Sequence, residues 1–237
     1  MTFLKWITNR IKNNRNAIIV FNGGTGSGKS YACLCTAYFL SLLLKTAFVV
    51  KENMDFSFYH LLEKMQKPGK DAKGTIFDME EVGATGSGGS STEWQTESNK
   101  FFFSFTQTSR CLNQVLLLNC PDFGYITKGV RHLVHFQLTS MGIDKAKKKS
   151  YFKPYLLKID QRTGKMWFTY LRFTYKGKRY KLKRIGFPLP PEEWIKDYEE
   201  LKRKYVHEHN QKILIKERKR EARENAATNN RRLEEYV

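Results

Sequence analysis

Gly23-Gly24-Thr25-Gly26-Ser27-Gly28-Lys29-Ser30 satisfies every fixed position of G-x-x-x-x-G-K-[ST], between an apolar run at 17–21 and an apolar helical stretch at 31–44. Such a chain is committed to strand, tight turn and helix in succession, the setting in which this motif cradles phosphate. A match by chance in a chain of 237 residues is on the order of one per cent at average residue frequencies. The glycines let backbone N–H groups turn inward around phosphate oxygens, and the helix that follows presents its positive end. Thr25, Gly26 and Ser27 supply the cradle, Lys29 reaches the β and γ phosphates, and the Ser30 hydroxyl ligates Mg²⁺.

The surrounding pattern predicts an α/β fold with a mainly parallel sheet. Strands are expected at 17–21, 47–50, 75–77, 115–118 and 133–138, with helices at 31–44, 58–65 and 93–110 and a Gly/Ser loop at 83–91. The helix at 31–44 is about 21 Å long, short of the roughly 30 Å of a bilayer core, so it reads as buried rather than membrane-spanning. After residue 150 the period becomes strand-like, at 151–159, 165–173 and 179–185, with hairpin turn chemistry at 160–164 and 176–178. Pro191 with Glu192 and Glu193 opens a helix over 192–208, and 211–232 is a charged helix or a frayed tail. The segments are therefore an N-terminal amphipathic piece (1–16, with Phe3, Leu4, Ile7 and Ile11 on one face), a P-loop core (17–140), a basic β-hairpin unit (141–191) and a C-terminal charged helix (192–237).

Composition excludes some classes. With 41% hydrophobic and 14% aromatic residues the chain can bury a core, so it is not a disordered tail. Its four cysteines, Cys33, Cys35, Cys111 and Cys120, lack metal-site spacing and read as reduced thiols of an intracellular, cytoplasmic protein; no secretory signal is visible.

The charge is uneven. The net of +19 divides into +5 over residues 1–140, +13 over 141–186 (15 basic and 2 acidic side chains) and +1 over 187–237. That concentration is the electrostatic footprint of a polyanion partner. Eight aromatics within it (Tyr151, Phe152, Trp167, Phe168, Tyr170, Phe173, Tyr175 and Tyr180) alternate with charges; stacking on single strands and packing of a small sheet are both open, the packing duty being favoured.

A P-loop needs a carboxylate on the metal side and a group to orient water. Asp78, at the end of the 75–77 run, is the candidate Mg²⁺ ligand with Ser30; Glu80 or Glu81 is the candidate for water. Asn119, ending the next apolar strand, is a candidate for the γ phosphate or the water, and Arg110 or Arg131 for an arginine finger acting on a neighbouring subunit.

The P-loop, the Asp78 strand, Glu93-Trp94-Gln95, Asn99-Lys100, Gln107-Thr108-Ser109-Arg110, the strand ending at Pro121 and Val130-Arg131 together resemble archaeal Zot-like ATPases, relatives of filamentous-phage Zot proteins and of the FtsK/HerA DNA-pumping motors. Lys153-Pro154-Tyr155, Arg162-Thr163-Gly164-Lys165 and the run from Phe187 to Glu193 resemble the same group. The resemblance spans roughly residues 15–200. It implies an additional-strand RecA-like core, ATP as substrate, a homo-oligomeric ring (a hexamer), DNA as cargo, and a virus or mobile element of an archaeon, with a virion or membrane-associated machine as its setting. It also implies a Glu directly after the strand-end Asp, where this chain has Met79. The alternative reading is therefore a nucleotide-switched binding module with little hydrolysis. A small-molecule kinase is disfavoured, since no lid with paired arginines is evident.

Overall fold

The computed structural model describes residues 2–70, 72–82, 106, 109–126, 128–160 and 162–234. Contacts divide the chain into two units, Met1–Tyr198 and Glu199–Val237. The first carries the sheet. The second is taken up by the later part of a helix, Glu192–Glu234. The segment at 211–232, left open between helix and tail, is thus helical.

Helix α1 (Thr2–Lys12) leads into β1 (Ala17–Asn22), whose six residues are all buried, and then α2 (Lys29–Leu44). Burial of Phe3, Ile7 and Ile11 fixes the apolar face of α1 on the core, with Phe3 and Trp6 edge-on to Phe136. The short helix α3 (Val50–Asn53) precedes β2 (Met54–Asp55) and α4 (Phe58–Met65); β3 (Ile76–Met79) and β4 (Val115–Cys120) follow, each wholly buried. β5 (Phe136–Asp144) and β6 (Lys149–Ile159) form a long hairpin, and β7 (Met166–Thr169), β8 (Arg172–Tyr175), β9 (Lys178–Lys181) and β10 (Ile185–Pro188) complete the strands.

The main sheet has the order β10-β6-β5-β1-β4-β3-β2, with β7 also on β6. β5, β1, β4, β3 and β2 run parallel; β6 is antiparallel to β5, and β7 and β10 to β6. β4 lies between the P-loop strand β1 and the Asp78 strand β3. Parallel strands covered on both faces need continuous apolar runs, which is why Ile18 to Phe21 and Val115 to Leu118 carry no alternation. Pro154, in the middle of β6, pairs with Leu138 on one side. It falls in the interval between β10, which pairs with 149–152, and β7, which pairs with 156–159, so its missing N–H breaks neither ladder.

Three expected strands are corrected, among them 179–185, which is broken at 182–184 between β9 and β10. Residues 47–50 are not a strand; the edge strand is β2. The Asn53 side chain captures the segment: its Oδ1 accepts from Val49 N–H (3.2 Å) and Lys70 Nζ (2.9 Å), its Nδ2 donates to the Ile76 carbonyl (2.9 Å), and Val49 O accepts from the N–H groups of Glu52 and Asn53. Asn53 is fully buried. Asn53→Ala strands several of these partners, and we expect it to cost about 2–3 kcal/mol, read as a lower urea midpoint at unchanged slope. The run 165–173 is likewise two strands, because Leu171 is buried and its carbonyl accepts from Leu182 N–H, turning the chain out of the main sheet. The Gly/Ser loop at 83–91 and most of the expected helix at 93–110 lie outside the described residues. Among the described residues, no helix is long and apolar enough to cross a membrane.

Candidate nucleotide site

The P-loop leaves the C-terminal end of β1, where Gly23 N–H donates to the Pro121 carbonyl at the exit of β4 (3.1 Å). Gly28, the N-cap of α2, sits at φ 83°, a left-handed conformation that costs glycine least, and no side chain caps the helix. The first-turn N–H groups of this sixteen-residue helix therefore point at the loop without a side-chain competitor. A Cβ at Gly28 would lie 2.8 Å from Ser150 Cβ and 3.2 Å from Ile143 Cγ1, so the β5–β6 hairpin is packed directly on the loop. The Ser140 hydroxyl adds a hydrogen bond to the Ser27 carbonyl (3.1 Å). Gly24 and Gly26, by contrast, face open space: a Cβ there meets nothing within 4 Å. Lys29 Nζ folds back onto the Gly24 carbonyl (2.9 Å), across the mouth of that space.

Ser30, Glu80 and Asn119 converge below the loop. The Ser30 hydroxyl donates to Glu80 Oε2 (2.9 Å), and Asn119 Nδ2 donates to the same oxygen (2.6 Å) and to Ser30 Oγ (3.0 Å). The backbone sets this up: Glu80 N–H donates to the Asp55 carbonyl and Val82 N–H to the Asn119 carbonyl (2.7 Å), locking the end of β3 against the end of β4. Glu80 and Asn119 are 1% and 3% exposed.

Asp78 lies two residues back in β3 and is fully buried. Neither of its carboxylate oxygens has a hydrogen-bond partner among the described residues. Burial, and then the charge of Glu80, push its carboxyl well above the ordinary range. Cys33, one turn into α2, is the third member of this cluster; its Sγ and one oxygen each of Asp78 and Glu80 lie within 4.8 Å of one another. Burial first, and then the two carboxylates, push the Cys33 thiol far up. Cys35 and Cys120 are also buried and shifted to about 12, so three thiols are inert, while Cys111 is exposed.

The Ser30–Glu80–Asn119 triad, an uncapped helix start and open space over Gly24 and Gly26 together fit a nucleotide with Mg²⁺. The donor set beneath the loop is hydroxyl, amide and carboxylate, which suits a hard cation.

The remaining sequence candidates are dispersed. Glu81 is half-buried, with φ 54°. Arg110 precedes β4 and lines a cavity of about 190 Å³ with Arg10, Asn16, Ile18, His132 and His135, at the opposite end of β1 from the P-loop. Within that cavity His135 is held down to about 3 by burial, then by Arg10 and Arg110, and its Nδ1 accepts from Ile18 N–H. Arg131 stacks over the Phe123 ring at 5.9 Å. Neither arginine joins the site of its own chain. Sequence reasoning missed Cys33, Ser140 and Ser150. Glu80, just beyond the end of β3, brings its carboxylate within 4.8 Å of that of Asp78.

No protein-family model matches the chain, and no curated protein sequence does. Among solved structures the chain is similar to the N-terminal domain of zonular occludens toxin from Neisseria meningitidis, at 12% identity and a TM-score of 0.37, over 66% of this chain and 95% of that one.

Proposed function

We propose that this protein is a Mg²⁺-dependent P-loop ATPase that couples ATP hydrolysis to movement of DNA. The observation that carries the chemical half is the Ser30–Glu80–Asn119 triad, which joins the first turn of α2 to the ends of β3 and β4 beneath a P-loop whose cradle is open. In this reading the backbone N–H groups of 24–30 and the start of α2 bind the phosphates, and Lys29 swings from the Gly24 carbonyl to the β and γ oxygens. Ser30 and Glu80 hold Mg²⁺, which neutralises the charge developing on the transferred phosphoryl group. Asn119 orients the γ phosphate or its water.

Giving Glu80 the metal side, rather than Asp78, changes the meaning of Met79. The residue directly after the metal-side carboxylate is then Glu81, the acidic neighbour that the resemblance calls for, and Glu81 becomes the group that orients the attacking water. Asp78 is left as a buried carboxyl supporting Glu80 from behind.

The DNA half is supported by charge. No acidic residue occurs between Asp160 and Glu192, and the β5–β6 turn carries Lys145, Lys147, Lys148 and Lys149 beside the P-loop. Lys147 is shared with Asp144 (3.4 Å). Neutralising Lys147, Lys148 and Lys149 to glutamine is expected to shallow the slope of log affinity against log salt by about 2–3; an unchanged slope removes this turn from the interface. A homo-oligomeric ring, FtsK/HerA-type movement and a role in packaging or transferring the genome of an archaeal virus or mobile element, at a virion or membrane machine, complete the proposal and rest on the motif resemblance alone. Steady-state hydrolysis with and without DNA tests the whole: DNA-stimulated turnover that Lys29→Ala abolishes supports it, whereas tight ATP binding with no turnover establishes the nucleotide-switched module instead.

A further inference from the structure

The hairpin β8–β9 stands apart from the main sheet as a two-stranded sheet of its own. Its register pairs Arg172 with Lys181, Phe173 with Tyr180, Thr174 with Arg179 and Tyr175 with Lys178. Side chains alternate between the faces of a strand. One face therefore collects Phe173, Tyr175, Lys178 and Tyr180, and the other Arg172, Thr174, Arg179 and Lys181. The Phe173 and Tyr180 rings stack across the strands, with centroids 5.7 Å apart and planes at 26°. Lys176 and Gly177 turn the hairpin with φ 48° and 73°, and Lys176 Nζ lies 5.6 Å from the Tyr175 ring centroid.

The expected packing duty is met by Phe152, which is fully buried against Phe21 and Phe187, but not by Tyr175 and Tyr180. Tyr175 is 58% and Tyr180 43% exposed, and every residue of β9 is exposed. Two strands alone have no core to hide a face in. An aromatic face left in water, backed by a cationic one, has the composition of a surface made for another molecule. Ten residues, 172–181, hold five cations, three aromatics and no acid.

We propose that this hairpin is a binding site for single-stranded nucleic acid, with bases stacked on Tyr175 and Tyr180 and phosphates held by Lys178 on the same face and Lys176 beside Tyr175. Charge complementarity selects a polyanion, and the aromatic face selects among polyanions. A duplex keeps its base faces inside its own stack, whereas a single strand offers them. An acidic protein surface would satisfy the cations and leave the rings idle. The proposal deepens the DNA partner named above, but does not depend on the nucleotide chemistry.

The test is fluorescence anisotropy of full-length protein carrying Lys29→Ala, without nucleotide, against a labelled oligothymidylate and a labelled duplex of equal length. Tyr175→Ala with Tyr180→Ala is expected to weaken single-strand binding about 10- to 100-fold and to change duplex binding less than about twofold. Tyr175→Phe with Tyr180→Phe, which keeps the rings, is expected to restore it. Both tyrosines are exposed, so the thermal midpoint serves as the check that the fold is kept. Unchanged single-strand affinity, equal loss on both probes, or failure of the phenylalanine pair to restore binding overturns the proposal. If the wild-type protein hydrolyses no ATP and these shifts still appear, the hairpin assignment stands and the motor reading alone falls.

Discussion

Lys29→Ala is expected to lower ATP turnover by roughly 10²–10³-fold, equivalent to about 3–4 kcal/mol of lost stabilisation of the transferring phosphoryl group. The size follows from where the ammonium sits. Its present partner is a neutral backbone carbonyl, that of Gly24, so moving to a phosphate oxygen exchanges a neutral hydrogen bond for a charge-assisted one. Alanine removes that exchange and leaves the loop's glycines and the start of α2 untouched, so binding of a fluorescent ATP analogue should fall less than turnover does. A variant within threefold of the wild type in hydrolysis would mean that the phosphates do not sit over Gly24 and Gly26.

The second large effect separates two carboxylates. Glu80→Gln is expected to reduce hydrolysis at least about 10²-fold, because the one oxygen contacted by both Ser30 and Asn119 belongs to Glu80. The amide can keep those contacts through its own oxygen, so the fold should survive while the negative charge beneath Ser30 is lost. Asp78→Asn is expected to cost less than about tenfold, as Asp78 makes no hydrogen bond to either residue; the figure is that of a supporting group rather than a metal ligand. Mg²⁺ titrations of the two variants give an independent reading, with a raised metal requirement for Glu80→Gln only. The reverse order, an inactive Asp78→Asn beside a working Glu80→Gln, would return the metal side to Asp78 and leave Met79 as a true gap in the catalytic set.

Much of this was written in local pattern. The P-loop announces itself by spacing, and 17–21 and 115–118 are readable as buried parallel strands because they are apolar without alternation. Asn119 and Pro121 mark a strand end by chemistry. What failed to show were contacts fixed by one distant side chain. Residues 47–50 are apolar enough for a strand, yet a single amide, Asn53, holds them in a capped turn through partners as far away as Ile76. Glu80 reads as one of two interchangeable loop acids until the Val82–Asn119 hydrogen bond draws it under Ser30. The hairpin aromatics read as a small core because sequence cannot reveal how many strands a sheet will have. A period of two gives faces; it does not say whether anything covers them.

The contact of Gly28 with Ser150 and Ile143, and of Ser27 with Ser140, carries a mechanical implication. Close-packed surfaces transmit displacement instead of absorbing it. In the proposed reading a loop that tightens on phosphate pushes or pulls the hairpin leaning on it, and the contacting pair Ile143–Ser150 directly flanks the turn holding Lys145, Lys147, Lys148 and Lys149. The linkage is short: cradle and cations meet at the same end of two hydrogen-bonded antiparallel strands. Under the proposed function, nucleotide occupancy is thereby linked to the position of positive charge at the surface, a coupling that needs no hinge.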